Sequence, residues 1–223
     1  MIPTPITSHL SAADFETVYE PAEDTFILLD ALEQDAELLK GSRVCLEIGS
    51  GSGCVSAFLG AICGSSSALY LTTDLNPHAC RCTLLTSTRN SVPLNPILTD
   101  LTSALLPRLT HQVDILVFNP PYVETEDEEV VEAQKEDGKR IEKSWAGGAG
   151  GMRVTNRLLE QVDTLLSDRG LFYLVAVPEN KPLAIIADMQ ARGLEGEVVL
   201  KRRAGREHLH VLRFSRPGRT APP

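Results

Sequence analysis

The chain has 223 residues, 43% of them from the apolar set AVILMFWYC with 16 glycines besides, which fits one soluble α/β domain spanning 1–223 and excludes disorder throughout. The 21 basic and 30 acidic side chains give a formal charge of −9, so a protein that tracks nucleic-acid phosphate along its whole surface is not expected. No apolar run approaches the roughly 20 residues of a membrane helix. The start MIPTPITSHL also lacks a signal peptide's basic opening and long apolar stretch, so a cytoplasmic protein, with the nucleus also open, and no membrane partner are expected.

Residues 1–40 read as an N-terminal extension and a helix. Phe26, Leu29, Leu32, Ala36 and Leu39 recur at helical spacing from Ala22 to Leu39, with Asp24 or Thr25 placed to cap the start. Arg43 to Ile48 is a short apolar strand, followed by the glycine-rich Gly49-Ser50-Gly51-Ser52-Gly53 and a small-residue helix through Ile62. Ala68 to Thr73 predicts a second strand ending at Asp74, and Pro77 suits the first position of another helix. A weak third strand, Pro96 to Thr99, ends at Asp100, and a strong fourth, Val113 to Phe118, ends at Asn119-Pro120-Pro121-Tyr122. Beyond it come a helix over Met152 to Leu166, a fifth strand from Leu171 to Val177, a helix over Pro182 to Arg192, and a closing pair at Glu197 to Leu200 and His208 to Phe214. Strands alternating with helices argue for an α/β fold with a mostly parallel sheet.

Two segments break the composition. Nine acidic side chains from Glu124 to Glu142 stand against Lys135, Lys139, Arg140 and Lys143, which reads as a solvated acidic insertion over 123–143. Lys201, Arg202, Arg203, Arg206, Arg213, Arg216 and Arg219 crowd the last stretch, where a solvated face and a basic rim for an anionic partner are both open. Residues 215–223 read as a frayed tail. The odd set Cys45, Cys54, Cys63, Cys80 and Cys82 contains no C-x-x-C pair, so reduced, mostly buried thiols are expected and no metal site. His208 and His210 alternate along a strand and read as side chains of its face.

Glycines let the Glu47 to Gly53 turn bend sharply and approach a ligand at the carboxyl end of a strand. Cys54 stands where a dinucleotide G-x-G-x-x-G fingerprint needs glycine, and the loop has no Lys or Arg. The strand-end acids Glu47, Asp74 and Asp100 suit instead a ligand with ribose hydroxyls, an amino group and positive charge. S-adenosylmethionine is such a ligand. In Asn119-Pro120-Pro121-Tyr122 the prolines stiffen the turn and hold the Asn119 side chain and the Pro120 carbonyl in fixed directions. Both present acceptors to a planar –NH2 group, and Tyr122 offers it a flat face.

These residues carry a resemblance. Tyr19-Glu20-Pro21-Ala22-Glu23-Asp24-Thr25, the Glu47 to Gly53 loop, Asp74-Leu75-Asn76-Pro77, Thr99-Asp100-Leu101, Phe118 to Tyr122 and Trp145-Ala146-Gly147-Gly148 together resemble the eukaryotic HemK-like protein-glutamine methyltransferases. The resemblance implies a seven-stranded, Rossmann-like class I methyltransferase fold, with helices on both faces, that methylates N5 of the Gly-Gly-Gln glutamine of the class-one translation release factor and leaves S-adenosylhomocysteine. It implies cofactor contacts from Thr25, Glu47, Gly49, Asp74, Asp100, Leu101 and Asn119, with Gly51 and Gly53 in the same loop. Asn119, Pro120, Pro121 and Tyr122 form the catalytic turn, with Asn119 and the Pro120 carbonyl holding the amide beside Tyr122. The same family is associated with methylation of a histone lysine, of trivalent arsenic and of DNA adenine.

A partner is also implied. In this family the third strand is a sheet edge, and from Cys82 to Leu109 the only charges are Arg89, Asp100 and Arg108. An apolar edge without charged gatekeepers invites another chain, and the resemblance implies a small zinc-binding activator subunit there. Two rivals stand beside the protein methyltransferase: an adenine-N6 nucleic-acid methyltransferase with the same turn geometry, and a scaffold with a dead methyltransferase fold. The acidic balance opposes the first, and the intact glycine loop and N-P-P-Y turn oppose the second.

Overall fold

The computed structural model of the protein describes residues 1–122, 149–205 and 207–218. The acidic stretch 123–143, the Trp145 to Gly148 segment, Arg206 and residues 219–223 lie outside the described residues. Seven strands form one sheet: β1 Val44–Ile48, β2 Leu69–Asp74, β3 Leu94–Leu98, β4 Val113–Phe118, β5 Leu166–Ala176, β6 Glu195–Ala204 and β7 Glu207–Ser215. Their order is β3-β2-β1-β4-β5-β7-β6. The pairings among β1 to β5 are parallel, while β7 runs antiparallel to both β5 and β6.

The chain starts at the middle of the sheet, winds out through β2 to the β3 edge, and returns to lay β4 beside β1. Strand order reverses there, which places the ligand crevice of an open α/β sheet outside the carboxyl ends of β1 and β4. Ile48 pairs with Phe118 in the β1–β4 register, so the glycine loop and Asn119 leave the sheet side by side. All six residues of β4 are buried, as a central parallel strand covered on both faces requires.

Alternation along the strands separates two cores. Cys45, Ile115, Val117, Tyr173, Val175 and Val211 pack under Ile27, Leu28 and Leu32 of α2 (Glu23–Gln34) and Phe58 and Leu59 of α4 (Cys54–Cys63). Leu46, Leu116, Phe172, Leu174 and Leu212 face the other way, toward α6 (Arg153–Leu159), α7 (Val162–Leu165) and α8 (Pro182–Ala191). Helices therefore cover both faces. The remaining α-helices among the described residues are α1 (Ala12–Phe15), α3 (Ala36–Leu39) and α5 (Pro77–Asn90).

Several boundaries differ from the sequence expectation, for identifiable reasons. The helix expected over Ala22 to Leu39 is interrupted at Asp35, whose carboxylate accepts from the Tyr173 hydroxyl at 2.7 Å and pairs with Arg213 at 2.5 Å. The helix expected over Met152 to Leu166 is two short ones, and β5 begins at Leu166 rather than Leu171. Its extra residues bulge past β4, with a register shift between Val113 and Ile115. Gly170 makes this possible, since a Cβ there would sit 2.7 Å from the Val113 carbonyl oxygen. The basic C-terminal stretch is partly internal: Arg202 pairs with Asp30, Arg213 bridges Asp35 and Glu197, and Arg216 donates to the carbonyl oxygens of Asp163 and Leu166. All five cysteines are free thiols and four are buried.

Candidate active site

Gly49, Gly51 and Gly53 take φ values of +67°, +50° and +78°, the left-handed region that side chains with a Cβ resist. The Gly49 and Ser50 N–H groups both donate to the Thr73 carbonyl, at 2.8 and 3.1 Å. Gly53 lies against α5, where a Cβ would stand 3.0 Å from Thr83 Cα. The Thr83 hydroxyl meets Ser50 Oγ at 3.0 Å and the Gly51 carbonyl at 3.3 Å. The loop is thus pinned between β2 and α5 with its open side at the crevice.

Two carboxyls flank it. Glu47 is buried and accepts from the Ser56 N–H at 3.0 Å and from the Ser56 hydroxyl, in the first turn of α4. Burial, with the Asp74 charge adding to it, pushes the Glu47 carboxyl up to about 8 against those two bonds. Asp74 accepts from the Gly51 N–H at 3.0 Å and the Asn76 N–H at 2.8 Å. Burial raises its pKa as well, opposed by the same N–H groups. Buried Glu47 and half-buried Asp74, both more readily protonated than usual, make a strand end that gains from a cation or from hydroxyl donors. That donor set fits the sulfonium, ammonium and ribose of S-adenosylmethionine.

Asp100, read from sequence as a third such acid, forms an ion pair with Arg157 of α6 at 2.5 Å. Leu101 beside it is buried with φ +48°, and the Thr99 N–H donates to the Asp74 carbonyl at 3.0 Å, which ties this segment to the β2 end. Thr25 is buried at the start of α2.

The Asn119 turn is held by Asp24, which the sequence places in the Tyr19 to Thr25 motif and as a candidate helix cap; the cap position is instead Ala22, and Asp24 lies inside the first turn of α2. Asn119 Nδ2 donates to Asp24 Oδ2 at 3.0 Å, and the Tyr122 hydroxyl donates to the same oxygen at 3.2 Å. The other oxygen, Asp24 Oδ1, accepts from the Tyr19 hydroxyl at 3.1 Å and the Thr25 N–H at 2.7 Å. Asp24 is only 4% exposed. Asn119 Oδ1, in contrast, is buried with no hydrogen-bond partner among the described residues. A buried polar atom without a partner is uncommon and calls for an explanation. Burial and the neighbouring Asp24 charge hold the Tyr122 and Tyr19 phenols well above the usual tyrosine range, so both stay protonated donors.

The turn's backbone is fixed from below. The Tyr122 carbonyl accepts from Asn180 Nδ2 at 3.3 Å, and the same nitrogen reaches the Gly150 carbonyl at 3.0 Å. Asn180 Oδ1 in turn accepts from the Val177 N–H at 2.9 Å. Gly151, with φ +67°, passes so close that a Cβ would stand 1.9 Å from the Tyr122 carbonyl oxygen. Asp24, Asn180 and Gly151 were not among the expected site residues. The signals for them are slight: an acid in a helix's first turn, an Asn two residues past a proline, and a second glycine pair at Gly150-Gly151.

Residues 22–138 match the family model described as the methyltransferase small domain. The chain is 53% identical to mouse methyltransferase HEMK2 over 96% of its own length and 97% of that protein. It is 42% identical to the Schizosaccharomyces pombe protein named eRF1 methyltransferase catalytic subunit mtq2, over 99% of this chain and 98% of that one. Among solved structures, the E. cuniculi Mtq2–Trm112 complex, titled as responsible for methylating the eRF1 termination factor, superposes with a TM-score of 0.66 at 24% identity, covering 90% of this chain and 99% of that one. A sheet order with its switch point at the glycine loop, joined to near full-length identity above one half, makes this protein a member of the eukaryotic HemK-like methyltransferase family.

Proposed function

We propose that the protein transfers a methyl group to the side-chain amide nitrogen of the Gly-Gly-Gln glutamine of the class-one translation release factor, as the catalytic subunit of a heterodimer with a small zinc-binding activator. Asn119 Oδ1 carries this reading: a buried acceptor with no partner among the described residues, at the end of β4 beside the glycine loop. The names of the yeast relative and of the superposed complex, both tied to eRF1, support the same substrate.

S-adenosylmethionine, when bound, supplies an electrophilic methyl group. The residues proposed to hold it are Thr25, Glu47, Gly49, Gly51, Gly53, Asp74, Asp100, Leu101 and Asn119. An amide nitrogen is a poor nucleophile because its lone pair is delocalised, so positioning has to supply much of the rate. Asn119 Oδ1 and the Pro120 carbonyl accept the two N–H groups of the glutamine and aim its nitrogen. Pro121 stiffens the turn, and Tyr122 borders it. A neutral amide nitrogen that gains a methyl group becomes cationic and strongly acidic, so it loses one proton to water without a strong base and ends as the neutral N-methyl amide. Tyr122 is not that base, because its phenol is kept protonated beside Asp24.

The partner reading rests on the β3 edge, which among the described residues pairs with β2 alone. Leu98 on β3 is 58% exposed, and Leu84 and Leu85 of α5 and Leu75 are exposed as well. Apolar side chains flanking an open strand suit docking by strand addition. An adenine-N6 activity would use the same two acceptors, but the formal charge of −9 opposes a nucleic-acid substrate.

Methyl transfer from labelled S-adenosylmethionine tests the reading, with the activator co-expressed. Label should enter a release factor carrying Gly-Gly-Gln and be absent from its Gln→Ala variant and from adenine-rich DNA. Label on DNA alone would replace the reading with its rival.

A further inference from the structure

We propose that Asp24 is the specificity-determining positioning residue of this site: its carboxylate locks the Asn119 amide with the oxygen facing the substrate, so the site takes an –NH2 group and rejects a carboxylate. This deepens the glutamine reading above and rests on it.

A side-chain amide is nearly symmetric in shape, and its two orientations are told apart by their hydrogen-bond partners. Asn119 faces Asp24 at 3.0 Å. An ionised carboxylate only accepts, so the Nδ2 group must point at it; the flipped amide would set oxygen against oxygen. The remaining acceptor positions of Asp24 are taken by the Tyr122 and Tyr19 hydroxyls and the Thr25 N–H. Asp24 therefore acts on the substrate through Asn119. Three separate segments, the stretch before α2, the start of α2 and the end of β4, converge on one carboxylate, so Asn119 cannot turn without breaking a charge-assisted bond. The outward atom is Oδ1, buried and without a partner among the described residues.

The chemical consequence is selectivity by hydrogen-bond sense. A glutamine amide brings two donors to a site built of acceptors. A glutamate brings only lone pairs and a negative charge toward a buried negative charge. A site built to bond a substrate N–H disfavours an analogue lacking it by up to about ten-thousandfold. With Asp24 neutralised, Asn119 is free to turn its –NH2 outward, and that form welcomes the carboxylate.

The decisive measurement uses the co-expressed complex and two forms of the release-factor protein. The Gly-Gly-Gln form is the methyl acceptor, and the Gly-Gly-Glu form is an inhibitor of that transfer. In the wild type the glutamate form should inhibit poorly. In Asp24→Asn, kcat should fall by roughly a hundredfold, and the glutamate form should become a better inhibitor by about tenfold or more. S-adenosylmethionine affinity, measured by calorimetry, should stay within about threefold. A merely structural role of Asp24 would weaken both forms alike and leave their ratio unmoved. An unchanged ratio in a folded Asp24→Asn protein therefore overturns the proposal while wild-type transfer to glutamine still supports the broader reading; no wild-type transfer at all removes that reading first. Should Asp24→Asn fail to fold, the lock is read in the wild type from the Asn119 side-chain amide by nitrogen-15 NMR. Slow solvent exchange of its Nδ2 protons is expected, and exchange as fast as that of an exposed asparagine overturns the lock.

Discussion

Asn119 and Asp24, 95 positions apart in the chain, meet at 3.0 Å where the end of β4 packs on the first turn of α2. The contact leaves the other amide atom, Oδ1, turned away from Asp24 as an acceptor without a partner among the described residues. Replacing Asn119 by alanine deletes that acceptor and leaves Asp24 with its two tyrosines and the Thr25 N–H. The expected result is a fall in kcat of about 10²- to 10³-fold, the usual loss when one positioned hydrogen-bonding group is removed from a reacting centre. Stability should drop by only about 1 kcal/mol, one net hydrogen bond. Initial rates and thermal melting on the same preparation check both halves; methyl transfer at near wild-type rate would remove Asn119 from the mechanism.

Glu47 gives the fold a pH dependence of definite sign. Its ordinary value is near 4.5 and burial lifts it to about 8 in the folded protein. A raised folded-state value means that the neutral acid is favoured by folding. The stabilisation is complete below about 4.5 and fades as pH rises through 8. His9 and His210, both lowered from 6.5 mainly by burial, act in the opposite sense below 6.5, so the Glu47 effect stands clearest between 6.5 and 8. Denaturant melts of the ligand-free protein should lose stability there by at most about 1.4 kcal/mol per pH unit. Glu47→Gln, permanently neutral, should flatten that slope. A wild type whose stability rises over the same window would contradict the assignment.

Gly151 is a steric requirement of the Asn119 to Tyr122 turn. A Cβ at this position would sit 1.9 Å from the Tyr122 carbonyl oxygen and 2.7 Å from Asn180 Nδ2, on a backbone with φ +67°. Both obstacles are fixed: one is backbone, and the other is a buried side chain with partners at Tyr122, Gly150 and Val177. Gly151→Ala should therefore destabilise by about 2–3 kcal/mol or more and displace Tyr122. Activity should fall further than the loss of folded protein explains. Gly193→Ala is the matched control, with a positive φ of +87° but open space around the Cβ; it should show only the backbone part of the penalty.

Much of the fold and the shape of the glycine loop were legible because they depend on local sequence. The apolar run Val113 to Phe118 marks a buried strand, the glycines at 49, 51 and 53 mark a turn with positive φ, and the acids at strand ends follow both. The Asp24 and Asn180 contacts were not legible, since each joins residues brought together only by the sheet order. Asp24 reads as an ordinary first-turn acid until β4 is placed beside β1 and its end is carried to α2. The break at Asp35 has the same origin: Tyr173 and Arg213, 138 and 178 positions away, draw its carboxylate out of the helical pattern. Asp100 shows the converse, because the strand-end position was visible and its Arg157 partner was not.

The β3 edge gives a prediction about assembly. Leu98 and Leu84 stand 58% and 51% exposed on or beside a strand whose outer backbone edge has no hydrogen-bonded strand among the described residues. An edge of this kind, lacking charged gatekeepers, favours self-association until a partner covers it. The lone chain is expected to be poorly soluble, and co-expression with the activator should restore a monodisperse heterodimer. Lysine at Leu84 and Leu98 together should have two opposite effects: better solubility of the lone chain, and a heterodimer weakened by about 1–3 kcal/mol for each position that lies at the centre of the interface. Leu183→Lys is the control. Leu183 is 76% exposed on α8, which packs against β6 at the opposite edge of the sheet, so it should leave the heterodimer intact. Size-exclusion chromatography and pull-down of the activator read both effects together. A soluble, fully active lone chain, or a heterodimer indifferent to the Leu84 and Leu98 changes but broken by Leu183→Lys, would move the partner away from β3.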